Sequence, residues 1–185
     1  MKKLKLFFLC FIIGFILFSQ NTFNKHYHFD WPLAIANSVY VTDSCYYFSG
    51  LIVDTVPPYR EGVLFGKLDL EGNVMTSNSI LSDDYTYENW FTPLVYSNRN
   101  TFISMGFGYD SIDRYNYWME LTPEGVLLES KYFRNTYYPL EEATRINDFF
   151  QHSASSNYYA VSQSFIQENE LGLSPGYNTT LTKLN

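Results

Sequence analysis

Short runs of alternating apolar and polar residues fill most of the chain after residue 20. These runs are rich in Val, Ile, Tyr, Phe and Thr, and polar clusters with glycine interrupt them roughly every eight to twelve residues. Such alternation is typical of half-buried β-strands, because successive side chains of a strand point to opposite faces. No long window after the N-terminus shows the period of an amphipathic helix. The pattern therefore predicts an all-β fold of short antiparallel strands.

Two sequence phrases recur in the same order along these runs. The first is a pair of apolar segments joined by a short polar turn. Its second segment begins near Tyr46, Thr101 and Tyr158, at intervals of 55 and 57 residues. Similar intervals of this kind indicate an internal repeat. The predicted repeats span roughly residues 31–90, 91–146 and 147–185.

The second phrase is an apolar segment that ends in a glycine turn. It carries a leucine at Leu68, Leu121 and Leu184. Alternation places this leucine on one face of its strand, and a bulky apolar residue followed by a charged residue on the other face. Gly72 and Gly125 then supply the positive φ that a tight hairpin needs. Each repeat is therefore predicted to contain antiparallel strands joined by short turns, with one longer loop.

Four antiparallel strands in a repeat of about 50 residues correspond to one blade of a β-propeller. The stretches Tyr-Tyr-Phe-Ser-Gly (46–50) and Lys-Leu-Asp-Leu-Glu-Gly-Asn-Val (67–74) resemble the blades of secreted bacterial β-propeller proteins. Many of those proteins carry a type IX secretion sorting tail, which is absent here. The resemblance covers roughly residues 31–185 and implies a partial β-propeller of antiparallel four-stranded repeats, with about two and a half blades.

The number of repeats has a consequence for the expected architecture. Propellers close with about four to eight blades. We therefore expect residues 21–185 to form a β-propeller-like repeat domain that is incomplete, the chain being a fragment of a longer protein. The alternatives are a small β-meander and closure by self-association.

The first twenty residues predict an export signal. Three lysines precede a 13-residue apolar run (6–18), and polar residues follow it. This order is typical of a secretory signal peptide, and the run is shorter than the roughly 20 residues of a membrane span. We predict cleavage near Gln20 and a secreted or cell-surface protein that meets the membrane only through this signal. Retention as an anchor is the alternative.

The net charge of the chain bears on which class of partner it can bind. The chain has 12 basic and 19 acidic residues and a net charge of −7. Cleavage would remove three lysines and leave a net charge of −10. Nucleic-acid binding requires a basic face, so no nucleic-acid partner is expected. Cys45 would be the one remaining cysteine, and we expect it to be buried as a small apolar residue.

One segment carries a candidate metal site. His26, His28 and Asp30 would share a face of a strand and would be able to converge on one ion. The competing interpretation is a polar linker strand behind the signal. No other motif implies a metal, and none implies a cofactor.

Two acidic groups fall in predicted loops. Asp83 and Asp84 accompany Glu88, and Asp110 accompanies Asp113. Clustered carboxylates suit calcium, but the spacing of a calcium-binding loop is absent, so solvated loops are the preferred interpretation.

Loop aromatics are the candidate ligand contacts. Flat rings with a polar tip suit stacking on sugars and packing at protein interfaces, although such rings also pack between sheets. The candidates are Trp90, Tyr109, Tyr137 and Tyr138. No catalytic motif is present, so the sequence favours a binding, adhesion or structural module that contacts a glycan or a surface protein. The alternative is a fragment of an extracellular propeller hydrolase or lyase acting on polysaccharide.

Overall fold

The computed structural model describes residues 24–89, 92–110, 114–133, 142–151, 157–166 and 176–184. These residues form strands and turns, which confirms the predicted all-β class. Among them there is no helix that is long and apolar enough to cross a membrane. The predicted signal peptide, residues 1–20, lies outside the described residues.

The strands form three antiparallel sheets, and neighbouring strands in each sheet are consecutive in the chain. Sheet 1 contains β1 (Leu33–Val41), β2 (Tyr46–Val53), β3 (Glu61–Leu68) and β4 (Val74–Ile80). Sheet 2 contains β5 (Val95–Tyr96), β6 (Phe102–Tyr109), β7 (Arg114–Leu121) and β8 (Leu127–Phe133). Sheet 3 contains β9 (Glu142–Gln151), β10 (Tyr158–Ile166) and β11 (Gly176–Leu184). None of the sheets closes on itself within the described residues.

One predicted repeat boundary falls inside a strand. The boundary between residues 146 and 147 lies in β9, which pairs with β10 from Gln151 to Glu142. The whole of β9 therefore belongs to sheet 3.

The two glycine turns form as predicted. Gly72 and Gly125 have φ values of 75° and 81°. The Gly72 amide donates to the Asp69 carbonyl at 3.0 Å, and the Gly125 amide donates to the Thr122 carbonyl at 2.8 Å. Both turns connect the third and fourth strands of their sheet, so they fix the register of the edge strand.

One register recurs in all three sheets. The first residue of the second strand lies opposite the leucine that ends the third strand. The pairs are Tyr46 with Leu68, Phe102 with Leu121, and Tyr158 with Leu184. Corresponding positions can therefore be compared between sheets by counting from this pair.

Sheets 1 and 2 pack face to face through an aromatic core. The Phe102 ring of sheet 2 lies 4.4 Å from the Tyr47 ring and 5.5 Å from the Phe65 ring of sheet 1, measured between centroids. Leu121 lies in this core, whereas Leu68 lies on the opposite face of sheet 1. The predicted alternation within β3 is confirmed, because Phe65 and Leu68 are on different faces.

The other face of sheet 2 packs against sheet 3. Ile103, Met105 and Trp118 form a buried cluster with Tyr158 and Ala160 of β10. The Trp118 and Tyr158 rings meet edge to face at 6.1 Å. Sheet 2 is therefore covered by a sheet on each side.

The outer face of sheet 1, which points away from sheet 2, is covered by residues 24–31, named here the covering segment. Tyr27, Phe29 and Trp31 pack on a buried cluster of this face that includes Phe48 and Leu64. The covering segment thus takes the place that a neighbouring sheet has elsewhere in the molecule.

A partly buried polar joint links β1 of sheet 1 to the segment that precedes β5 of sheet 2. The β1 register shifts at Asn37, whose side-chain amide donates to the Asn89 carbonyl. The Leu94 amide donates to the Ser38 hydroxyl at 2.7 Å, and the Thr92 hydroxyl donates to the Asn89 side-chain oxygen at 2.7 Å. These bonds satisfy polar groups that would be costly to bury alone.

The aromatic core provides the first prediction. Phe102 is fully buried between the sheets, so Phe102→Ala should lower the free energy of unfolding by about 3–5 kcal/mol. For a chain of this size, thermal melting followed by circular dichroism should show a fall in midpoint of roughly 6–20 °C. Met75→Ala, at an exposed position, should stay within about 0.5 kcal/mol of the parent. Equal melting of both variants would contradict the stacked core.

Candidate functional site

A cleft of about 470 Å³ opens where three segments of sheets 1 and 2 meet. These segments are the β2–β3 connection, the chain that crosses from β4 to sheet 2, and the end of β6. The lining residues are Pro58, Arg60, Ser82, Asp83, Asp84, Tyr85, Thr86, Tyr109 and Asp110. The cleft therefore combines carboxylates, tyrosine rings and one guanidinium in a concave surface of a size that suits a small ligand.

The β2–β3 connection forms one wall of the cleft. The Asp54 amide donates to the Arg60 carbonyl at 2.8 Å, which closes the base of the loop. The Arg60 guanidinium lies 3.8 Å from the Asp54 carboxylate, so part of its charge is balanced there. Its Nε is buried and has no hydrogen-bond partner among the described residues. The guanidinium is thus held at the wall with donor capacity remaining.

The opposite wall is formed by the crossing segment and the end of β6, which are joined backbone to backbone. The Thr86 amide donates to the Tyr109 carbonyl at 2.9 Å, and the Tyr109 amide donates to the Thr86 hydroxyl at 2.9 Å. Two residues further on, Glu88 and Phe107 form an isolated antiparallel bridge. These bonds fix the backbone of Tyr109, whose side chain is 37% exposed.

A cluster of tyrosines supports the floor of the cleft. The Tyr85 ring stacks on the Tyr132 ring at 4.3 Å and meets the Tyr115 ring edge to face at 5.4 Å. The Tyr115 hydroxyl donates to the Thr86 carbonyl at 2.6 Å, and burial raises its pKa above the ordinary tyrosine value. The hydroxyl therefore stays protonated and keeps this bond across the physiological pH range.

The cleft joins parts of the two acidic groups seen in the sequence. Asp83 and Asp84 from the first group and Asp110 from the second line the same cavity. Glu88 does not join them, because it pairs with β6 and is buried. Asp113 lies outside the described residues. Three carboxylates against one guanidinium give the cleft an acidic character.

A pair of glutamates lies behind the wall of the cleft. Glu61 begins β3 directly after Arg60, and its carbonyl accepts a hydrogen bond from the Tyr87 amide at 3.2 Å. Burial, the neighbouring charge of Glu88 and a hydrogen bond to Glu88 together raise the pKa of Glu61 to about 7. One carboxyl of this pair therefore holds a proton near neutral pH.

The candidate metal residues do not converge on an ion. His26, His28 and Asp30 are exposed on the solvent side of the covering segment. Among the described residues, no group of three His, Cys, Asp or Glu side chains is arranged to hold a metal. The strand-like alternation is present, and its other side carries the aromatic residues that pack on sheet 1.

The candidate ligand contacts divide into two groups. Tyr109 lies in the cleft, whereas Trp90, Tyr137 and Tyr138 lie outside the described residues. Cys45 is buried, as predicted. Sequence reasoning missed Arg60 and Thr86, because no sequence pattern shows which loops meet across two sheets. The polar loop between β2 and β3 was the available signal.

No family model matches the chain, and no match is found among curated proteins. The chemistry of the cleft is therefore the basis for the proposed function.

The raised pKa of Glu61 predicts a dependence of stability on pH. The folded state binds this proton more tightly than the unfolded chain, where the pKa is near 4.5. Its stabilising effect is complete below pH 4.5 and is lost as the pH rises through about 7. Glu61→Gln should therefore melt close to the parent at pH 4.5 and above it at pH 8.

Thermal melting of both proteins from pH 4.5 to pH 8 measures this difference. Glu71→Gln, at an exposed position in the β3–β4 turn, is the control and should follow the parent throughout. A Glu61→Gln variant whose melting falls with pH as steeply as the parent would contradict the assignment.

Proposed function

We propose that the protein is a secreted β-propeller-like repeat module that binds a glycan through the cleft between sheets 1 and 2. The single observation that carries this proposal is the meeting of Tyr109 with Asp83, Asp84 and Asp110 around one concave surface. Tyrosine rings offer flat faces for sugar rings, and carboxylate oxygens accept hydrogen bonds from sugar hydroxyls. The recurrent strand register and the N-terminal signal pattern support the repeat and the export.

Charge indicates which glycans suit the cleft. Its carboxylates outnumber its guanidinium, and the whole chain has a net charge of −7. Like charges repel uronate and sulfate groups, so the proposed ligand is a neutral glycan. A surface protein is the alternative partner, and it would use the same exposed tyrosine.

The alternative of a polysaccharide hydrolase or lyase is less well supported. A general acid works best with a pKa near the operating pH, and Glu61 has such a pKa. However, Glu61 is not among the residues that line the cleft. The Glu61 carboxyl therefore has no described access to a ligand in the cleft, and binding is the preferred function.

A glycan-binding screen with the purified chain tests the proposal, followed by calorimetric titration of the glycans that bind. Neutral glycans should bind and acidic ones should not. Tyr109→Ala should weaken binding by about tenfold, because losing a central aromatic contact costs more than about 1 kcal/mol. Tyr96→Ala is the control, since Tyr96 is similarly exposed at 39% and lies outside the cleft.

The outcomes separate the alternatives. If no glycan binds but a cell-surface protein does, and Tyr109→Ala weakens that contact, the partner is a protein. If Tyr109→Ala and Tyr96→Ala bind the same glycan equally, the cleft is not the site.

A further inference from the structure

The β2–β3 connection carries the most exposed tyrosine among the residues whose side chains are described. Tyr59 is 60% exposed, compared with 37% for Tyr109 in the cleft. It lies between Pro58 and Arg60, which both line the cleft. Tyr59 itself is not a lining residue, so its side chain stands at the rim of the wall that this connection forms. Tyr109 belongs to the opposite wall of the same cleft.

Hydrogen bonds within the β2–β3 connection hold its backbone in place. The Val56 amide donates to the Asp54 carboxylate at 3.0 Å, and the Tyr59 amide donates to the Val56 carbonyl at 2.9 Å. The bond from the Asp54 amide to the Arg60 carbonyl closes the base of the same loop. The Tyr59 side chain is therefore presented from a backbone that is fixed from base to tip.

Tyr59 has a backbone conformation that is unfavourable for a large side chain. Its φ is 55°, in the left-handed region that glycine and asparagine adopt more readily than other residues. Because most of its surface is in solvent, the Tyr59 side chain contributes little to the core. The chain thus keeps a strained backbone at a residue that the core does not require. Backbone outliers of this kind cluster at binding and catalytic sites.

We propose, on the basis of the glycan binding proposed above, that Tyr59 is a second sugar-stacking residue and that the ligand is an extended neutral polysaccharide. A cleft of about 470 Å³ accommodates a short oligosaccharide. A longer sugar chain that enters past Tyr109 leaves over the opposite wall, where the Tyr59 ring offers it a flat face. The fixed loop holds this ring in advance, so little ordering is needed on binding.

Calorimetric titration with neutral oligosaccharides of two lengths tests this assignment. The probes are the disaccharides and hexasaccharides of the cello-, xylo-, manno- and laminari- series. The parent should bind a hexasaccharide about tenfold more tightly than the matching disaccharide, because only the longer ligand reaches Tyr59. Tyr59→Asn should remove this preference and leave disaccharide binding unchanged, whereas Tyr109→Ala should weaken the binding of both lengths.

Three comparisons separate the effect of the ring from an effect on folding. Asparagine tolerates a positive φ, so Tyr59→Asn should melt no lower than the parent. Tyr59→Phe keeps a flat ring and should keep the preference for the hexasaccharide. Val56→Asn is the matched control, because Val56 is 62% exposed in the same loop but has no flat face. It should bind both lengths as the parent does.

The two proposals fail in different ways. If the parent binds these probes and Tyr59→Asn keeps the preference for the hexasaccharide, the assignment of Tyr59 is wrong while the cleft remains the binding site. Loss of the preference in Val56→Asn or in Tyr59→Phe would also contradict the assignment, because stacking on the ring would then not explain it. If no probe of either length binds the parent, glycan binding by the cleft is wrong, and the assignment of Tyr59 is wrong with it.

Discussion

Each sheet of this protein that is described with its side chains has two apolar faces, and both have to be covered. The central strands β2 and β3 of sheet 1 are buried along nearly their whole length, on alternating faces. A sheet with one solvated face would show strict alternation of buried and exposed residues instead. The strands therefore favour a stack of sheets over a two-layer sandwich. Each sheet has an apolar face that the next sheet covers. The covering segment covers the apolar outer face of sheet 1.

The cleft follows from this stacking. Because each sheet is an up-and-down meander, the chain leaves sheet 1 at β4 and has to cross the end of the stack to begin sheet 2. The crossing segment brings Asp83 and Tyr85 towards the β2–β3 connection of sheet 1, and Thr86 to the end of β6. Polar loops thus meet at one end of the stack while apolar faces meet in its centre. The aromatic floor under Tyr85 links the two regions, since its rings contact both the cleft and the core.

The sequence predicted what depends on local pattern. Alternation assigned Phe65 and Leu68 to opposite faces, and the glycines of the two turns were placed where positive φ is required. It did not predict the cleft, because the contact between residues near 60 and 109 depends on how two sheets stack. The segment from His26 to Trp31 was interpreted from its polar residues alone. The same alternation predicts an aromatic face, and that face is the one that makes contacts.

Partly buried polar groups add direction to the packing of sheets 1 and 2. Aromatic and aliphatic side chains would tolerate several alignments, because their packing has little directionality. Hydrogen bonds form in few alignments, because they are directional. A buried polar group that is left unpaired costs free energy. The bonds from Asn37 to Asn89 and from Leu94 to Ser38 form in one alignment of β1 against the start of sheet 2. The polar joint therefore adds directional contacts to an apolar core that would by itself tolerate several alignments of the two sheets.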